Sequence, residues 1–245
     1  MGVFSRSLSP AIYTFLLYCD GVRKCFNLTM KIFLDTADIA TIKNLVSTGL
    51  IDGITTNPTL IRKSGENPED VYSAIADLGV TDISMEVYGD ALQMYDDAIR
   101  LSDKYGKVAT IKLPMTQDGL QVCRQLSKEL IRTNVTLIFT IPQAILAAKA
   151  GATYVSPFVG RLDDQQVAGL EVVRGISGLY SMKGVRTQIL AASIRTVQRA
   201  VRSFYNGADV VTMPPNVFTK MYDHILTDKG LEIFDADIAA IESKT

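Results

Sequence analysis

Histidine is almost missing from this chain. His224 is the only one in 245 residues, which excludes histidine–metal clusters and any triad built on imidazole. Cysteine is scarce as well: Cys19, Cys25 and Cys123 are too few and too scattered for a disulfide framework or a paired-cysteine site. Net charge is also missing. With 25 basic and 26 acidic side chains the formal charge is −1, so there is no basic face for nucleic acid and no polybasic membrane anchor. No apolar run reaches the ~18 residues that would mark a membrane span. What remains, 47% hydrophobic and 21% charged, is an ordinary globular composition. The length fits one α/β barrel of ~250 residues, and a cytoplasmic location is expected.

The first 29 residues stand apart. PAIYTFLLYC (10–19) follows Arg6 in the manner of a secretory leader, yet no A-x-A-like cleavage site follows and Arg23 and Lys24 come next. A clean strand begins at Met30. Residues 1–29 therefore read as an extension outside the core, either disordered or the product of an upstream misread start, and residues 30–245 as a single domain.

From there, short apolar strands alternate with helical stretches. The pattern predicts strands at 31–36, 52–57, 82–88, 108–114, 134–139, 153–159, 187–194 and 209–214. One intervening helix opens at Asp90 and stops before Gly106, with Leu92, Tyr95 and Ile99 on one face. A second carries Leu120, Cys123, Leu126 and Leu130 at helical spacing. A third has Pro142 in its first turn and Gly151 just past its end. Eight βα units imply a parallel (β/α)8 TIM barrel, with a doubly wound sheet as the alternative.

In a strand, residues i and i+2 share a face. Sorted this way, Phe33 and Asp35 oppose Ile32 and Leu34, while Thr55 and Asn57 oppose Ile54 and Thr56. Ser84, Glu86 and Tyr88 oppose Ile83, Met85 and Val87. Thr110 and Lys112 oppose Ala109, Ile111 and Leu113. Asn134 and Thr136 oppose Val135 and Leu137. Ser193 and Arg195 oppose Ala192 and Ile194. The apolar face belongs under helices and the polar face inside, concentrated at the C-terminal strand ends where barrels of this kind place their active sites.

Lys112 is the unusual member of that inner face. A buried ammonium is expensive without a partner, and the plain reading is a salt bridge to Glu86 or Asp35. The chemical reading is a Schiff-base nucleophile, because burial can depress a lysine pKa by several units and free the amine. The same carboxylates would then serve as proton shuttles. Arg161 and Arg195 follow strands six and seven, and with Ser193 they suggest a site for the phosphate of a sugar phosphate.

LDTAD (34–38), GITTNPTL (53–60), IKLPMT (111–116), NVTLIF (134–139), SPFVGR (156–161) and AASIR (191–195) together resemble the transaldolase family, most closely its small-subunit branch, which also holds fructose-6-phosphate aldolase. The resemblance implies that Lys112 forms the imine, that Asp35 is the general acid/base, and that Glu86 and Thr136 hold the relaying water. It implies that Asn57, Asn134 and Ser156 hold hydroxyls of a dihydroxyacetone unit, with Thr55 beside them and Phe158 lining the pocket. Arg161, Ser193 and Arg195 would take the phosphate.

The aldolase branch carries glutamine at the position of Glu86 and tyrosine at that of Phe158, and FTIPQAI (139–145) departs from it too. The resemblance thus implies transfer of dihydroxyacetone from sedoheptulose 7-phosphate to glyceraldehyde 3-phosphate, in the pentose phosphate pathway, without cofactor or metal. Simple aldol cleavage and a silent sugar-phosphate binder are the alternatives. It also implies a homo-oligomer, a decamer, in which the helix at 230–241 reaches a neighbour through Leu231, Phe234 and Ile238. Packing on its own barrel is the other reading of that stripe.

Overall fold

The alternation of apolar strands and helices closes into an eight-stranded, all-parallel barrel in the computed structural model, which describes residues 30–243. The extension expected at 1–29 lies outside the described residues. In chain order the elements are β1 (Lys31–Asp35), α1 (Ile39–Val46), β2 (Gly53–Thr55), α2 (Pro58–Ser64), α3 (Pro68–Asp77), β3 (Ile83–Glu86) and α4 (Ala91–Tyr105). They continue with β4 (Ala109–Pro114), α5 (Gln117–Lys128), β5 (Thr133–Ile138), α6 (Ile141–Ala150), β6 (Tyr154–Pro157), α7 (Val159–Asp164) and α8 (Gly169–Lys183). Last come β7 (Gln188–Ala191), α9 (Val197–Tyr205), β8 (Val210–Met213), α10 (Pro215–Thr219) and α11 (Ile225–Glu242). Each strand pairs with its sequence neighbours, and β8 returns to β1 with Phe33 opposite Thr212.

The two faces of the strands separate as the alternation requires. Leu34, Ile54, Ile83, Met85, Ile111, Leu113, Val135, Val155, Ile189, Val211 and Met213 form the layer under the helices. Phe33, Tyr154, Leu190 and Val210 fill the floor of the barrel. Gly53 makes room for that floor, since a Cβ there would sit 2.6 Å from the Phe33 ring.

The alternation breaks at two places. Leu137 adopts φ 61° where the β5–β6 register shifts, so Val135 and Ile138, three apart, share the outer layer, and Leu137 does not join them as its parity predicts. Leu190 on β7 and Ala192 just past it belong to the interior, and Ser193 follows at φ 59°. Ala192 was expected outside; a left-handed residue resets which side follows.

Two helical faces also differ from expectation. α4 buries Met94, Ala98 and Leu101, and Leu92 is exposed. α5 ends at Lys128, and Leu130 at φ 61° lies past the helix, fully open to solvent. α6 starts and stops as expected, with a capping box between Thr140 and Gln143 and Gly151 in the left-handed conformation. Among the described residues no helix is long and apolar enough to cross a membrane.

Candidate active site

Four adjacent strands bring their C-terminal ends together around Lys112. The β3–β4 register sets Glu86 directly against Lys112, and the β4–β5 register sets Lys112 against Asn134. Lys112 is buried, with its amine inside the barrel. Nζ donates to Glu86 Oε2 at 2.9 Å and to the Thr56 carbonyl at 2.8 Å. The resting arrangement is thus an ion pair plus one neutral acceptor, which offsets the cost of burying the ammonium.

Asp35 stands at the mouth end of β1. Its Oδ1 accepts from Thr55 Oγ1 at 3.0 Å, and Thr55 Oγ1 lies 2.6 Å from Thr212 Oγ1. Burial pushes the Asp35 carboxyl above its ordinary value; Lys112 and the Thr55 hydroxyl oppose that shift, and Glu86 adds to it. Two carboxylates and one amine therefore share a small, partly desolvated space.

Deeper in the lumen runs a chain of neutral groups. Ser156 Oγ donates to Asn134 Oδ1 at 2.6 Å, and Asn134 Nδ2 donates to Ser84 Oγ at 3.2 Å. Thr136 Oγ1 is the one buried side-chain polar atom without a protein partner among the described residues. Buried polar atoms are nearly always satisfied, so this hydroxyl is suited to a water or a ligand oxygen. Asn57 caps α2 through Oδ1, which accepts from Leu60 N at 3.0 Å, and leaves its amide nitrogen without a partner among the described residues.

The cations lie further out. The Arg161 guanidinium stacks over the Phe158 ring at 4.8 Å and has no ion-pair partner among the described residues. Arg195 is exposed and already paired with Asp164, which holds that carboxyl below its ordinary value. Phe139, Arg161, Asp164, Gln165 and Arg195 line a hollow of about 570 Å3 at this end. Gly160 brings α7 against the next strand: its N–H donates to the Ser193 carbonyl at 3.1 Å, and a Cβ would meet that oxygen at 2.1 Å. The same Cβ would lie 3.0 Å from both Ser193 Oγ and Arg195 Nε, so Gly160 stands against two of the expected phosphate residues. A larger hollow of about 930 Å3 lies at the opposite barrel end, around Lys31 and Gln188, and none of the expected residues lines it.

Three contributors escaped the sequence reading. The Thr56 carbonyl is a backbone group on a residue whose side chain faces outward. Thr212 has the inward parity of β8 and was legible in principle from the alternation. Tyr72, which accepts the Glu86 N–H at 3.3 Å, comes from a helix and left no pattern. Among the described residues no group of three or more His, Cys, Asp or Glu is placed to hold a metal ion.

The sequence profile of the transaldolase/fructose-6-phosphate aldolase family matches residues 32–245. A probable transaldolase of Caulobacter vibrioides (strain NA1000 / CB15N) is 50% identical over 214 residues, covering 86% of this chain and 97% of the relative. One from Cereibacter sphaeroides (strain ATCC 17025) is 47% identical over 213 residues, with 86% and 96% covered. Among solved structures, thiamine phosphate pyrophosphorylase from Pyrococcus furiosus superposes with a TM-score of 0.52 at 16% identity, over 76% of this chain and 86% of that one, a likeness of fold alone.

Proposed function

The chain belongs to the transaldolase/fructose-6-phosphate aldolase family, and from that premise we propose that it is a transaldolase working through an imine on Lys112. The observation that carries the proposal is the buried amine, 2.9 Å from Glu86 Oε2 and 2.8 Å from the Thr56 carbonyl, with Asn134 opposite Lys112 on the next strand and Asp35 close enough to feel its charge. A sugar-phosphate binder without chemistry would have no use for an ammonium buried at this cost.

The amine first gives its proton toward Glu86 and attacks the ketose carbonyl; loss of water leaves the imine. Asp35 takes the proton of the hydroxyl beyond the scissile bond, the carbon–carbon bond breaks, and the aldose phosphate departs. The electron pair stays as an enamine on Lys112. Attack of that enamine on an incoming aldehyde, with Asp35 returning its proton, and hydrolysis of the new imine complete the transfer. Thr136 Oγ1 and Glu86 hold the water that serves the imine steps, which accounts for a buried hydroxyl with no protein partner. Asn57, Asn134 and Ser156 bind the dihydroxyacetone hydroxyls.

Glu86 and Phe158 favour transfer over release, because the Phe158 ring, unlike a tyrosine at that position, brings no hydroxyl to the water held by Glu86, and the enamine stays unprotonated until an aldehyde arrives. With sedoheptulose 7-phosphate and glyceraldehyde 3-phosphate as substrates, erythrose 4-phosphate and fructose 6-phosphate are expected. The donor alone should release little dihydroxyacetone. Release at the transfer rate would replace this reading with fructose-6-phosphate aldolase.

Arg161, fixed over Phe158 and without an ion-pair partner among the described residues, is the main phosphate ligand; Arg195 must share its charge with Asp164. Arg161→Ala should raise KM for the ketose phosphate by about ten- to hundredfold, the worth of a charge-assisted hydrogen bond. A KM unchanged in steady-state kinetics would move the phosphate elsewhere.

α11 buries none of its residues, and Leu231, Phe234 and Ile238 are each more than half exposed. We propose that this helix docks on another copy in a ring-based homo-oligomer. Leu231→Glu with Phe234→Glu should shift the particle mass by light scattering toward the monomer, whereas a monomeric parent chain would discard the assembly.

A further inference from the structure

Glu86 sits two residues beyond Ser84, the last residue of β3 that pairs with β2. Their ladder matches Ile54 with Ile83 and Thr55 with Ser84, then stops, because the chain after β2 turns at Asn57 to cap α2. Val87 donates its N–H to the Lys112 carbonyl at 3.2 Å. Alternation along the strand then turns the Glu86 N–H to the β2 side, where no strand carbonyl follows. Tyr72 takes that place: its hydroxyl accepts the Glu86 N–H at 3.3 Å.

The same hydroxyl neighbours the Thr56 side chain, and Thr56 Oγ1 donates onward to the Ser84 carbonyl at 3.2 Å. Glu86 and Thr56 are the two residues that hold Lys112 Nζ, one through its carboxylate and the other through its carbonyl. One phenol thus ties together both supports of the amine across the gap where the sheet has opened.

The phenol is itself fixed. Tyr72 is 3% exposed and meets Tyr105 edge-on, with ring centroids 6.4 Å apart and planes at 89°. The Tyr105 hydroxyl lies 2.9 Å from Ser73 Oγ and donates to the Glu69 carbonyl at 3.0 Å. Side chains that support a reactive group from behind decide whether it stays within the fraction of an ångström that reaction geometry demands.

We propose that Tyr72 is a positioning residue for the Lys112 amine, setting the spacing between the Glu86 carboxylate and the Thr56 carbonyl. The inference rests on the imine chemistry assigned to Lys112 above, and touches no substrate itself. A backbone N–H satisfied by any convenient hydroxyl would matter to stability alone; a positioning role must appear in the kinetics.

Tyr72→Phe keeps the ring and removes only the hydroxyl. Its kcat for dihydroxyacetone transfer is expected to fall about tenfold, with KM within about twofold of the parent and the pH profile of kcat displaced. Thr56→Val cuts the same link from the other end and should give the same displacement, so it remains the readout if Tyr72→Phe does not fold. The double variant should lose little more than either single one, because both break one connection. Tyr105→Phe, which loosens the ring stack without reaching Thr56 or Glu86, should lower Tm and leave the pH profile in place.

Borohydride trapping of the full-length parent with fructose 6-phosphate accompanies the series. No adduct on Lys112 in an active parent overturns the imine reading itself. An adduct in the parent, combined with parental kcat and pH profile in Tyr72→Phe and Thr56→Val, overturns the positioning role alone.

Discussion

Lys112→Arg should fold like the parent and turn over at least ~10⁴-fold more slowly, the order of loss seen when a covalent nucleophile is removed. Arginine is the informative replacement because it keeps the positive charge opposite Glu86. Lys112→Met would leave that carboxylate without its 2.9 Å partner, and removing one member of a buried pair costs about 3–5 kcal/mol. A guanidinium stays protonated and cannot condense with a ketone. Borohydride with donor substrate should add one reduced ketose fragment to the Lys112 peptide of the parent and nothing to the variant. Turnover by Lys112→Arg at a tenth of the parental rate would end the imine mechanism, whatever its circular dichroism showed.

Asp35→Asn is expected to move activity and stability in opposite directions. The carboxylate is needed as the base at the bond-breaking hydroxyl, so kcat should fall by about 10²–10⁴. Stability follows from the direction of the shift. Burial raises the folded-state pKa of Asp35 above its unfolded value, even after Lys112 and Thr55 act against it. The fold therefore favours the protonated acid. That contribution is fully present below the unfolded value of about 4, and it is lost as pH rises through the higher folded value. Wherever the group is ionised it is a net strain on the fold, and the neutral amide relieves it. Tm at pH 7 should rise in the variant, and the gain should shrink as pH is lowered toward 4. For the same reason the acid limb of kcat/KM in the parent should lie above the ordinary carboxylate range and disappear in Asp35→Asn. A Tm that falls at pH 7 would place the favourable pairing with Lys112 above the burial cost and reverse this assignment.

Much of the barrel was legible because its determinants are local. Ile83, Met85 and Ile111 alternate with Ser84, Glu86 and Lys112, and that period alone places one set under helices and the other in the lumen. The reading failed where a single residue left the β region. Leu137 and Ser193, both with positive φ, shift which side the following residues face, and nothing in Val135–Ile138 or Ala191–Arg195 announces it. Leu92 and Leu130 misled for a related reason: an apolar residue near a helix end can fit the period and still lie beyond the packed face.

Side-chain chemistry and helix-to-strand order along the chain thus determined the (β/α)8 architecture, the inward lysine and the polar set at the C-terminal strand ends, since each depends on neighbours two to four residues away. Only closure of the barrel decided that Glu86 meets Lys112 across 26 positions and the Thr56 carbonyl meets it across 56. Closure likewise set Asp164 against Arg195 and brought Tyr72 to the opening between β2 and β3. Those partners follow from strand stagger and loop exit angles, which are set by how eight strands and their helices pack at once. No short stretch of sequence encodes them.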